Sequence, residues 1–295
     1  VSAALATPGS GSPTQIPRGL LWVGVPLAAV LLTGMFVFLG FPYERVREAL
    51  ASQLGAASGA QVRIAGLDPG LSVLGPVLVA QGVEARFPDG GAFALERARL
   101  RPAWSFAWVQ GEPALAVDLT APEGRMVGTL YAGARPGFVG RLEEVELGRL
   151  PVERLLRDLA LDGLASADID LRQGPRGPEG SVVLDAREGS LGLPDLPMAL
   201  PYERLEGEID LLPEGGVEIH RLSLEGPMLT VSGSGSVGSL DDPARATLDV
   251  LARVEVREAS LRPVLRQMGL RLGTEGSTEV RLGGTLARPV VRSAP

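Results

Sequence analysis

The chain has 295 residues, with 28 basic and 35 acidic side chains, one histidine and no cysteine. An apolar content of 45% at a formal net charge of -7 excludes a wholly disordered chain, and the length allows one or two domains with a sizeable core. Acidity and an aromatic share of 4% argue against a nucleic-acid partner, which needs a cationic surface and stacking rings.

The absence of Cys removes disulfides, thiolate metal sites and cysteine nucleophiles. Every basic side chain is Arg, so Schiff-base chemistry and a P-loop lysine are removed as well.

Residues 1–18 are small, polar and Pro-rich and read as a disordered tail. Residues 19–41 (GLLWVGVPLAAVLLTGMFVFLGF) carry no charge. As a helix they would reach ~34 Å, enough for a hydrocarbon core of roughly 30 Å. Trp22 and Tyr43 lie near the two ends, where amphipathic rings favour the interface. A cleaved signal peptide would have a shorter apolar core and an A-x-A-like site, whereas FPYERVREAL follows here. The segment is therefore expected to be an uncleaved transmembrane helix. Basic residues alone (Arg18 before it, Arg45 and Arg47 after it) favour a cytoplasmic C-terminal side by one Arg.

Residues 42–60 predict a short amphipathic helix and linker, with Tyr43, Val46, Leu50 and Leu54 on one stripe and Gly55 as the stop. Residues 61–295 then read as a β-rich domain of short alternating segments separated by Gly, Pro and Asp turns. Strands are expected at 61–65, 77–87, 92–100, 114–119, 139–147, 167–171, 181–186, 206–211, 217–224, 228–237, 246–256 and 277–282. The fold class is mainly β: an elongated antiparallel sheet with a few short helices behind one membrane helix. Two of those helices are predicted after Pro151 and after Ser260. The segments after them, GLASADIDLRQG (163–174) and GTEGSTEVRLGG (273–284), read as a degenerate repeat. A one-sided sheet of this length must cover its apolar face with a second sheet, helices, lipid or a partner.

Chemistry is sparse. His220 sits in VEIHRLSL, where simple alternation places it with Glu218, Leu222 and Leu224; no G-x-S-x-G elbow supplies a nucleophile. Residues 233–238 (GSGSVG) match G-x-G-x-x-G in letters, but SLDDPARATLDV follows where a phosphate-facing helix would be required. The acidic pairs Asp168/Asp170, Glu208/Asp210 and Asp241/Asp242 read as solvated polar faces, since no loop supplies the six or more oxygens of a Ca²⁺ site. No catalytic, cofactor-binding or metal residue is assigned, and no cofactor is expected. A carboxylate hydrolase, which needs two acids across a cleft, is the weakest reading.

The order of features resembles a known family. The short tail, the single apolar segment, the helix, Ser58-Gly59, a V-x-I strand and an L-x-P turn at 67–69 look like the N-terminal module of the general secretion pathway protein N family. The wider AsmA-like group of envelope proteins starts similarly. The G-x-x-S-x-x-I/V-x-L segments and the closing LGGTLARPVV (282–291) look like the β repeats of those families. This resemblance implies a non-enzymatic component of a type II secretion system, held in the inner membrane by one helix with its bulk in the periplasm. It also implies a sheet curled into a groove or partial barrel. The partners it implies are the membrane and other secretion-system proteins. The alternative, from the AsmA-like side, is phospholipid binding or transfer through an apolar β-groove.

Overall fold

The computed structural model describes residues 29, 32–36, 38, 40–73, 75–88, 91–105, 108, 111–149, 160–192, 198–239, 245–267, 273, 276–286 and 288–293. The chain enters its folded part through helix α1 (Tyr43–Ser58). Strands β1 (Gln61–Ser72), β2 (Gly75–Arg86), β3 (Ala92–Pro102), β4 (Ala114–Ala121), β5 (Gly124–Tyr131), β6 (Gly137–Glu146) and β7 (Ala160–Gly174) follow. Then come β8 (Gly177–Gly192), β9 (Leu200–Leu211), β10 (Val217–Glu225), β11 (Leu229–Val237) and β12 (Leu248–Val256). After helix α2 (Leu261–Gln267) the sheet ends with β13 (Ser277–Thr285) and β14 (Arg288–Ser293). All belong to one 14-stranded sheet in strict chain order, with β1 and β14 as its two edges. Each neighbouring pair is antiparallel, from β1–β2 through β7–β8 to β13–β14. The chain is thus mainly β, as expected.

Register explains how so long a meander acquires two unlike faces. Leu67, Ala80, Ala98, Leu119, Met126, Leu142 and Ala167 stand opposite one another in turn from β1 to β7. The row continues through Leu184, Gly207, Leu222, Gly233 and Ala252 to Val280 on β13. No polar side chain interrupts this row, so one face is apolar across the sheet.

Two buried cores form on that face. One gathers Ile64, Leu67, Ala80 and Ala98 under Tyr43, Val46 and Leu50 of α1. The other gathers Ala165, Ala186, Leu200, Tyr202, Leu205, Leu224, Leu229 and Val256 with Leu147 of a 3-10 turn and Leu261 of α2.

Several local expectations need correction. Helix α1 runs past Gly55 to Ser58, and Gly59 ends it at φ 68°. Gly55 serves a close approach instead, because an added Cβ would lie 2.9 Å from the Ala60 carbonyl oxygen. Leu54, expected on the buried stripe, is exposed. The turn expected at 67–69 is extended strand: Pro69 pairs with Leu78 within β1. A proline is tolerated there because β1 is an edge. Strands β5 and β14 have no counterpart among the expected strands.

The phase of β10 also differs. A bulge between Ile219 and Arg221 adds a residue, so Val217 and Ile219 share the apolar side with Leu222 and Leu224 while Glu218 faces away.

Of the short helices, α2 follows Ser260 as expected, whereas the one expected after Pro151 lies outside the described residues. Most of the span expected over 19–41 also lies outside them. Residues 32–36 are helical, and no helix among the described residues is long and apolar enough to cross a membrane.

Candidate interaction faces

The row next to the apolar one is charged. Asp68, Val79, Arg99, Asp118, Val127, Arg141, Asp168, Val183, Glu208 and Arg221 face one another in turn from β1 to β10. Alternation along each strand repeats this character two residues away, and cross-strand ion pairs result. Arg125 grips Asp118 with both ends of its guanidinium, at 2.9 Å each, and reaches Glu143 at 3.8 Å. Arg141 holds Asp168 in the same two-toothed way at 2.7 and 3.0 Å, and Arg281 holds Asp249 at 2.8 and 2.7 Å. Asp185 accepts from Arg187 and Arg204, and Glu206 accepts from Arg204 and Arg221.

These contacts set the local electrostatics. The hydrogen bond from Arg125 holds the Asp118 carboxyl below its ordinary range, and Arg141 and Arg281 do the same for Asp168 and Asp249. At Asp185 partial burial pushes the carboxyl up, but the hydrogen bonds from Arg187 and Arg204 outweigh it and the net direction is down. The charged face of β1–β8 borders a trough of about 1260 Å³. Val77, Val79, Val127, Val139 and Val183 line it together with Arg99, Arg101, Asp118, Arg125, Arg141 and Asp168. Alternating valines and paired charges suit contact with a polypeptide or an amphiphile, through side chains that are already oriented.

The residues singled out in the sequence fall into this scheme. His220 occupies the bulge of β10, exposed, with Nε2 2.8 Å from Asp210 Oδ2. That hydrogen bond raises its imidazole above the ordinary value of 6.5. Asp168 is held by Arg141 across the strand pair, and Asp170 lies 3.4 Å from Arg172. Glu208 and Asp210 lie on the charged face of β9, and Asp241 and Asp242 lie outside the described residues.

Gly233 and Gly235 are interior residues of β11, not a phosphate loop. A Cβ at Gly233 would stand 2.8 Å from the Leu251 carbonyl, so these glycines serve strand packing. Among the described residues no group of three or more His, Asp or Glu could hold a metal ion. The Arg–carboxylate ladder itself was not foreseen; its signal was the recurrence of Arg and Asp at every second position of facing strands.

Comparison with known proteins found no matching family model, no matching curated protein and no matching solved structure.

Proposed function

We propose that this chain is a non-enzymatic component of a type II secretion apparatus, anchored in the inner membrane by residues 19–41 with its sheet in the periplasm, and that it works by contact. One observation carries the reading. Among the described residues the sheet is a two-faced meander with both edges unpaired, and the carboxylates Asp118 and Asp168 along its trough are held by the facing arginines Arg125 and Arg141. Exposed edges can accept another strand, and an ordered charged face can register a partner. The trough along β1–β8 gives this half of the sheet the profile of an open groove. Deletion of the gene is expected to abolish export of folded proteins, with rescue by the intact gene. Unimpaired export in the deletion strain would overturn the proposal.

A second reading, phospholipid binding, is favoured by the middle of the apolar face. Val117, Leu119, Met126, Phe138 and Leu142 of β4–β6 are only half-buried, and Leu130 is exposed. Each CH₂ of an acyl chain laid there would contribute about 0.8 kcal/mol. A photo-crosslinking residue at Leu130 in the full chain would label phospholipid if this reading holds. Labelling of protein alone would reject it.

A further inference from the structure

We infer that one end of the sheet rests in the lipid interface through the tips of its first two hairpins, an inference that rests on the anchoring of residues 19–41 proposed above. The β1–β2 turn presents Leu71 and Val73, which are 61% and 104% exposed. Against it lies the β3–β4 connection, with Trp104 62% exposed and its ring 5.0 Å from that of Trp108. The two tips form one surface, since a Cβ at Gly75 would lie 3.1 Å from Trp104 Nε1. Two hydrogen bonds hold Trp108 in place. Trp108 Nε1 donates to the Ala103 carbonyl at 2.9 Å, and its backbone N–H donates to Ser105 at 3.1 Å. Two of the chain's three tryptophans therefore stand at one end of the strands, with Arg101 just behind them on β3. Aliphatic tips, indole rings and a flanking arginine match the chemistry of the bilayer interface.

The path of the chain selects a bilayer over a protein partner. Helix α1 delivers its C-terminal end to Gln61, and Arg47 Nη1 reaches the Ala65 carbonyl at 3.1 Å. The helix therefore runs antiparallel to β1, and its Tyr43 end points toward Leu71. The apolar segment that precedes Tyr43 thus joins the sheet at the end that carries the two tips. Phe41, 48% exposed, and Tyr43 stack edge-to-face at 5.5 Å at that junction. The β4–β5 turn at the opposite end of these strands carries Glu123 instead.

The test uses the full chain in vesicles of phosphatidylethanolamine and phosphatidylglycerol with brominated acyl chains, which quench nearby indoles. A Trp22→Phe variant reports Trp104 and Trp108. A double variant, Trp104→Phe with Trp108→Phe, reports Trp22. Both variants are first checked for the β-type circular dichroism spectrum of the parent. The expected result is loss of most of the emission in both. If only Trp22 is quenched, the interface contact is overturned while the anchor stands. If neither is quenched, both are overturned. Quenching of Trp104 and Trp108 without Trp22 would keep the lipid contact and remove the anchor.

Discussion

Tyr202 shows how much a single side chain fixes. It is 2% exposed, and its hydroxyl donates to the Asp162 carbonyl at 2.6 Å. Burial pushes the phenol up, so it stays a donor at neutral pH. Its ring occupies the space that side chains at Gly163 and Gly189 would need, and Gly163 also sits at φ 131°. Gly189→Ala is therefore expected to destabilise by about 1–3 kcal/mol through overpacking, whereas Tyr202→Phe should cost about 1 kcal/mol for the lost hydrogen bond. Urea midpoints would separate the two.

His220, the only imidazole, gives a second residue-level expectation. Its folded pKa lies above the unfolded value, so its contribution to stability is full below the unfolded pKa. That contribution is lost as pH rises through the folded pKa. A proton NMR titration should place its midpoint above 6.5, and Asp210→Asn should bring it down. An unchanged midpoint in that variant would show that the carboxylate is not the cause.

At the scale of the element, face assignment depends on bulges as much as on alternation. Deleting His220 would remove the bulge and leave Val217, Ile219, Leu222 and Leu224 on one side by simple alternation, whereas deleting His220 and Arg221 together would turn Leu222 and Leu224 toward the charged side. The single deletion is expected to keep the core around Leu224 and the double deletion to dissolve it. Denaturant midpoints of the two variants would decide this.

The ladder has its own signature. Asp118 has a lowered pKa, so the stability of its pair is present above the unfolded carboxylate range and fades as pH falls through the folded value. Asp118→Asn should cost about 0.5 kcal/mol at neutral pH, and that difference from the parent should shrink on acidification.

The same physics decides what could be read in advance. Leu248, Val250, Ala252, Val254 and Val256 alternate without interruption, so β12 and its inward face were legible, down to the exposed Leu251. In β5, Gly128 breaks the alternation, because a Cβ there would strike the Phe138 ring on β6, and the strand left no pattern to detect. Pro69 imitates a turn because its tolerance comes from an unpaired edge, a property of the assembled sheet. The Arg–carboxylate ladder required register, which alternation alone does not supply.

The whole molecule is close to one-dimensional. Strands pack on their chain neighbours, and the two buried cores, one under α1 and one around Tyr202, share no residue. Such an array need not unfold in one step. Hydrogen exchange is expected to resolve two protected blocks, β1–β3 with α1 and β7–β12 with α2, joined by less protected β4–β6. A single uniform exchange free energy across all strands would contradict this.

Because no connection crosses over another strand, the sheet's width is set only by how many hairpins the gene encodes. At a spacing of about 4.8 Å per strand its fourteen strands extend roughly 60 Å along the curve. A lineage could lengthen or shorten that reach by whole hairpins and keep every remaining residue on its original side, so the fold can serve as a molecular ruler whose gradations are pairs of strands.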